Sequence, residues 1–160
     1  MDAQLGSLQA MLKLSTRLFV NSFDGVDDDV ARVRPTDSTN NMAFVGLHVL
    51  DARAYLARYL GLDYQPPFTG LEDVNSIEDM TDYPSVEDTL ASWREVSGLL
   101  DERIETLSSA ELAKKSPQKF PIEDSSLFGG FAFLLLHESF HIGQLALLRK
   151  YLGLSSMSYS

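Results

Sequence analysis

Three residues in this 160-residue chain carry an imidazole: His48, His137 and His141. The last two lie four apart in the block Leu136–His137–Glu138–Ser139–Phe140–His141–Ile142–Gly143–Gln144. On a helix, at about 100° per residue, His141 stands roughly 40° from His137. Both rings then project from one face, one turn apart, the spacing at which a helix offers two nitrogens to one metal ion. Gln144 falls about 20° to the other side of His137 and shares that face. His48 sits inside a second apolar segment, between Leu47 and Val49. Tyr55 shares its face two turns on, and Asp51 lies one turn on and about 60° round. If the two segments pack side by side, three histidines meet. A His₃ set leaves one or more coordination positions open, which is the catalytic type of metal site. Asp51 or Glu138 would orient a ligand, because a metal-bound imidazole normally donates its other N–H. Glu138 is also the candidate general base, although it points about 80° away from the mean histidine direction. Tyr55 divides evenly between core and pocket wall.

Two competing readings apply. His137 to His141 matches the literal H-E-x-x-H pattern of zinc proteases. Those enzymes need a further ligand downstream, and residues 142–160 contain no His, Asp or Glu. The extended pattern also requires glycine three residues after the second histidine, where this chain has Gln144. The blander reading is a polar seam, in which the histidines only hydrogen-bond and pin two helices together. Against it, the whole histidine complement falls in two apolar-flanked segments.

Four segments are long enough to position such a site. Leu5, Leu8, Leu12, Thr16 and Phe19 recur at three- and four-residue steps and predict a helix over about 2–21. A loop with one aspartate-capped turn is expected near Asp27–Asp28–Asp29. The second long helix follows Asn40 or Asn41 as cap and ends at Gly61. Pro84–Ser85 opens the third, where Val86, Leu90, Trp93, Leu100, Ile104 and Leu107 follow a heptad-like spacing and place Trp93 in the core. A short helical annex is expected over 109–115, and a Pro-containing linker over 116–125 with an extended piece at 119–122. The fourth helix runs from about 126 to 152, with Gly153 as its stop. The glycines at 129 and 130 are either entry residues or points of close approach. The expectation is an all-α, single-domain antiparallel four-helix bundle over residues 1–160. A long connection joins its second and third helices, carries a short helix near Ser76, and leaves open a topology other than simple up-down-up-down.

Composition sets limits. Thirteen basic against twenty-three acidic residues give a net charge of −10. Backbone binding of nucleic acid needs clustered Lys and Arg, so neither a nucleic-acid partner nor an anionic membrane is expected. The chain has no cysteine, which excludes thiolate ligands, disulfides and a cysteine nucleophile. No basic-then-apolar leader pattern is visible, and the longest apolar block, 131–136, has only six residues. A cytoplasmic protein is the default expectation.

The segments "VGLHVLDARAYLARYLG" and "LLLHESFHIGQLALLRKYLGL" together resemble the DinB/YfiT-like superfamily of metal-binding four-helix bundles. The resemblance covers nearly the whole chain. It implies that His48, His137 and His141 bind one divalent ion, Zn²⁺ or Ni²⁺, with Gln144 in a supporting role. It also implies transfer of a low-molecular-weight thiol or thiol-dependent isomerisation in some relatives, and pairing into homodimers. Three readings stay open at this point. One is a metal-dependent enzyme on a small molecule, either a thiol transferase or a hydrolase. The second is a non-catalytic metal- or ligand-binding bundle. The third is a structural dimer with a vestigial site. Any thiol would have to come from outside the chain.

Overall fold

A computed structural model describes residues 3–68, 76–80 and 82–160. Among the described residues six α-helices follow one another: α1 Ala3–Ser22, α2 Asp28–Arg32, α3 Met42–Tyr59, α4 Val86–Thr106, α5 Ser109–Leu112 and α6 Leu127–Tyr151. A 3₁₀ turn covers Ile77–Asp79. Among the described residues there is no strand, only an isolated bridge between Lys115 and Ser126. In the linker stretch 119–122, expected to be extended, Lys119 and Phe120 are irregular and Pro121 and Ile122 bend, with no strand formed.

Local chemistry sets the helix ends. Asp27, Asn41, Ser85 and Ser126 each accept a hydrogen bond from the backbone N–H three residues on, at 2.8, 2.8, 3.0 and 3.1 Å. Each satisfies one of the free N–H groups of a first helical turn. Gly61 and Gly153 follow α3 and α6 with φ of 89° and 74°, a left-handed conformation that glycine adopts without steric cost.

The four long helices do not simply alternate in direction. α6 runs antiparallel to α3, since Arg53 meets Glu138 while the Tyr59 hydroxyl donates to the Leu127 carbonyl. α1 runs parallel to α6. Ser15 lies beside Ser139, and Arg149 donates to the Ser22 and Asp24 carbonyls at the end of α1. α4 runs parallel to α3, as Arg53 donates to Ser97 and Arg103 to the Leu60 carbonyl. The bundle is thus not simple up-down-up-down, the departure that the long second connection left open. The start of α4 lies at the starting end of α3, where described residues before it also sit. There the Asn41 amide reaches Tyr83, Arg34 pairs with Glu78, and the Val86 N–H donates to Asp28.

The core is aliphatic and aromatic, with Leu12, Phe19, Leu50, Trp93, Leu100 and Phe131 fully buried. Trp93 stacks on Phe19 at 4.0 Å between ring centroids, as a core residue should. α6 is long and apolar enough to cross a membrane. Here it packs against α1, α3 and α5 instead.

One charged group sits at the centre. Arg53 is 0% exposed and Glu138 1% exposed. The guanidinium forks onto both carboxylate oxygens, Nε to Oε2 at 2.6 Å and Nη2 to Oε1 at 2.5 Å. Nη1 donates to Thr16 Oγ1 at 2.9 Å and Ser97 Oγ at 3.0 Å. The flat cation also lies 4.0 Å over the Trp93 ring, whose N–H donates to the Thr16 carbonyl. Residues from α1, α3, α4 and α6 therefore meet at one guanidinium. No buried polar side-chain atom among the described residues lacks a partner. Such a pair adds little net stability over an apolar isostere, but losing one partner strands a buried charge. Glu138→Gln or Arg53→Met alone should lower unfolding stability by roughly 3–5 kcal/mol. Combining Arg53→Met with Glu138→Leu should recover most of that loss, read by urea denaturation of all four proteins.

Candidate metal centre

His48 comes from the middle of α3, and His137 and His141 come from one face of α6. The antiparallel register brings them together. His48 Nε2 lies 3.2 Å from His137 Nε2 and 3.1 Å from His141 Nε2. The three rings meet edge to face, with centroids 4.4–5.3 Å apart. One ligand nitrogen from each lies within 4.8 Å of the others. His48 is exposed and the other two are half-buried, so the cluster opens to solvent on one side.

The tautomer of His141 follows from its neighbour. Its Nδ1 is 2.7 Å from Gln144 Oε1, an amide oxygen that can only accept. Nδ1 therefore carries the proton, and Nε2 turns a lone pair toward the other histidines. Gln144 is thus an orienting group, one turn from the residue it holds. Partial withdrawal of His48 from water, then His141, then His137, pulls its pKa down to about 4. Burial first and His141 second lower that of His137. Both causes disfavour the imidazolium, so at neutral pH these two rings are neutral and each keeps a lone pair free of a proton.

The other sequence candidates fall elsewhere. Glu138 is corrected: α6 turns it into the core, where Arg53 occupies both its oxygens. It is neither a general base at the histidines nor an orienting carboxylate for them. Its roughly 80° offset from the histidine face is the reason. Asp51 is half-exposed on α3, with its carboxylate 3.9 Å from Arg58. Tyr55 belongs to a row of rings leading away from the cluster. It stacks near Tyr59 at 6.5 Å, Tyr59 meets Phe120 at 5.6 Å, Phe120 meets Phe133 at 5.0 Å, and Phe133 stacks near His137 at 6.5 Å. Gly130 permits this row, because a Cβ there would strike the Tyr59 hydroxyl and the Phe120 ring.

The sequence reading does not single out Arg53, Phe120 or Phe133. Arg53 carried a signal, since it stands on the apolar stripe of α3 at helical spacing from Val49, Leu50, Leu56 and Ala57. Phe120 lies in a linker, and no periodicity announces which way a linker ring points.

A sequence model of the DinB superfamily matches residues 11–145. The chain belongs to the DinB superfamily. The match spans all three histidines, Gln144 and the Arg53–Glu138 pair. No curated protein matches the chain.

The donor set of this DinB-superfamily bundle suits a divalent ion. Nitrogens held about 2.0–2.1 Å from one ion at angles of about 90–110° stand roughly 2.9–3.4 Å apart. The two Nε2 separations at His48 fall in that range.

The lowered pKa of His48 has a linked effect. Between about 4 and the ordinary 6.5, the unfolded chain binds a proton there that the folded one does not. Stability of the metal-free protein should therefore rise with pH across that window and fall as pH drops through it. In an NMR titration His48 should titrate near pH 4. In the His137→Ala/His141→Ala variant its pKa should move upward toward 6.5, because two of the three causes are gone.

Proposed function

We propose that this chain is a metal-dependent enzyme acting on a small molecule, with His48, His137 and His141 holding one Zn²⁺ or Ni²⁺ ion. The observation that carries the proposal is the convergence of three imidazole nitrogens from two helices, with His48 Nε2 within 3.2 Å of both partners. Membership of the DinB superfamily supports it. The preferred reaction is transfer of an external low-molecular-weight thiol to a small electrophile, with hydrolysis second.

A divalent ion in this position supplies Lewis acidity, which lowers the pKa of a bound thiol or water. The protein's own groups do the rest. Gln144 fixes the His141 ring so that its lone pair points inward. The neutral His48 and His137 rings compete weakly with protons for their lone pairs. The ring row from Phe133 to Tyr55 forms an apolar flank for the organic part of a substrate. Withdrawal of Glu138 into the core favours the thiol over water. A thiol at a metal gives up its proton readily, whereas hydrolysis gains most from a carboxylate base. The net charge of −10 supports a substrate other than nucleic acid.

The test uses untagged protein, so that metal from an affinity resin is excluded. Elemental analysis should find about one divalent ion per chain. The His48→Ala/His141→Ala/His137→Ala variant should hold none. Gln144→Leu should weaken metal affinity by roughly 10–100-fold. A screen with small thiols and electrophiles should then show turnover that chelation abolishes and added metal restores. Stoichiometric metal without turnover would support the non-catalytic binding bundle instead. No metal after incubation with Zn²⁺ and Ni²⁺ would contradict both.

A further inference from the structure

Phe19, Trp93 and Phe131 lie in the core at 0% exposure. The rings that lead away from the histidine cluster are different. Tyr55, Tyr59, Phe120 and Phe133 pack against the core, yet each is only partly buried. Neighbouring rings that keep part of their surface in water form a patch, which scattered exposed side chains do not. The row begins at the candidate metal centre, where Phe133, one turn before His137 on α6, stacks near its ring.

The row is held in place from two sides. Phe120 comes from the linker between α5 and α6, and that linker is closed at its base. The Ser116 N–H donates to the Ser125 carbonyl at 2.8 Å, and the Leu127 N–H to the Lys114 carbonyl at 2.8 Å. The Tyr59 hydroxyl, 2.9 Å from Ser116 Oγ, ties α3 to the same linker. From the other side, Gly130 makes room. A Cβ there would lie 2.7 Å from the Phe120 ring and would strike the Tyr59 hydroxyl as well. A wall fixed in advance loses little freedom when a guest binds.

Charge and ring geometry narrow the guest. Arg58 pairs with Asp51 at 3.9 Å and lies 6.0 Å over the Tyr55 ring. Asp124 stands near enough to Tyr59 to help raise its pKa, after burial, while Lys119 precedes Phe120 and is exposed. No single sign dominates, so the wall does not select an ion. The rings present both faces and edges. Phe133 and Phe120 are tilted by 34°, Phe120 and Tyr59 stand edge to face at 79°, and Tyr59 and Tyr55 stack at 19°. An aromatic guest can pair with either through its quadrupole, whereas a saturated ring gains only burial. Ring centroids are 6.5 Å apart from His137 to Phe133 and 5.0 Å from Phe133 to Phe120, a span that one or two fused rings cover.

We propose that Phe133 and Phe120, backed by Tyr59, are specificity-determining residues that seat an uncharged planar aromatic ring of the substrate beside the histidines. That the ring belongs to a substrate rests on the proposed enzymatic function; the seat itself is testable without metal or turnover.

Binding of 2-naphthol to the metal-free full chain tests it, with decahydro-2-naphthol as the saturated counterpart. Both are uncharged at neutral pH and share a two-ring skeleton and a hydroxyl. In an NMR titration 2-naphthol should bind roughly 10-fold more tightly and shift the ring resonances of Phe120, Phe133 and His137. Phe120→Leu keeps apolar bulk and should erase that preference, leaving the affinity for the decahydro compound unchanged. Phe133→Leu, on a helix and not on the linker, should do the same and keeps the test decisive if the linker rearranges. No binding of 2-naphthol at its solubility limit, equal affinity of the two compounds, or a preference that survives both leucines would overturn the proposal. So would binding that shifts only other resonances. Failure of the enzymatic reading looks different: the ring preference stays, and the metal-loaded protein shows no turnover.

Discussion

The arginine–glutamate fork at the centre of the bundle fixes the geometry on which everything else depends. Arg53 and Glu138 are both withdrawn from water, and each is tolerable there only with the other in place. The fork is directional, so it sets one axial register and one rotation of α3 against α6. Glu138 is the residue after His137, and Arg53 is five after His48. Once the fork closes on the core side, the histidines are committed to the neighbouring sector of the same interface. Thr16, Ser97 and Trp93 bring α1 and α4 to the same cation. An apolar isostere would hold the helices together as firmly. It would not specify their register as sharply, since packing of aliphatic side chains allows sliding that a bidentate pair forbids.

The histidine cluster follows from that register. His48 Nε2 stands 3.2 Å from His137 Nε2 and 3.1 Å from His141 Nε2, and the lowered pKa values of His48 and His137 make this a poor arrangement for protons and a good one for a cation of charge two. Withdrawal from water and mutual repulsion of the charged forms push in the same direction. Gln144 adds orientation without charge, a feature that keeps the cluster's ligand strength independent of any carboxylate. The site is shallow. His48 reaches solvent, and the aromatic row offers a wall along one side.

Much of this was legible in the sequence because helices report themselves locally. Caps at Asp27, Asn41 and Ser85 and stops at Gly61 and Gly153 are short-range chemistry, and they sit within a residue or two of the expected places. The i, i+4 spacing of His137 and His141 fixes a common face whatever the tertiary structure. Helix direction was harder. α4 runs with α3, and a helix's own period does not say in which direction it packs against its neighbour. Glu138 shows the limit of motif reasoning. Its place between two histidines suggested chemistry, whereas its angle on the helix assigned it to the core. Arg53 was the missing half, and a cation on an apolar stripe is a signal that some buried anion must answer.

The central claim is that His48, His137 and His141 form one three-nitrogen metal site. X-ray absorption on untagged protein loaded with one equivalent of Zn²⁺ tests it most directly. Three imidazole nitrogens at about 2.0–2.1 Å, with a lighter oxygen or added thiol sulfur completing the shell, are the predicted result. Fewer than three imidazoles on zinc, or a shell unchanged in the triple histidine variant, would contradict it.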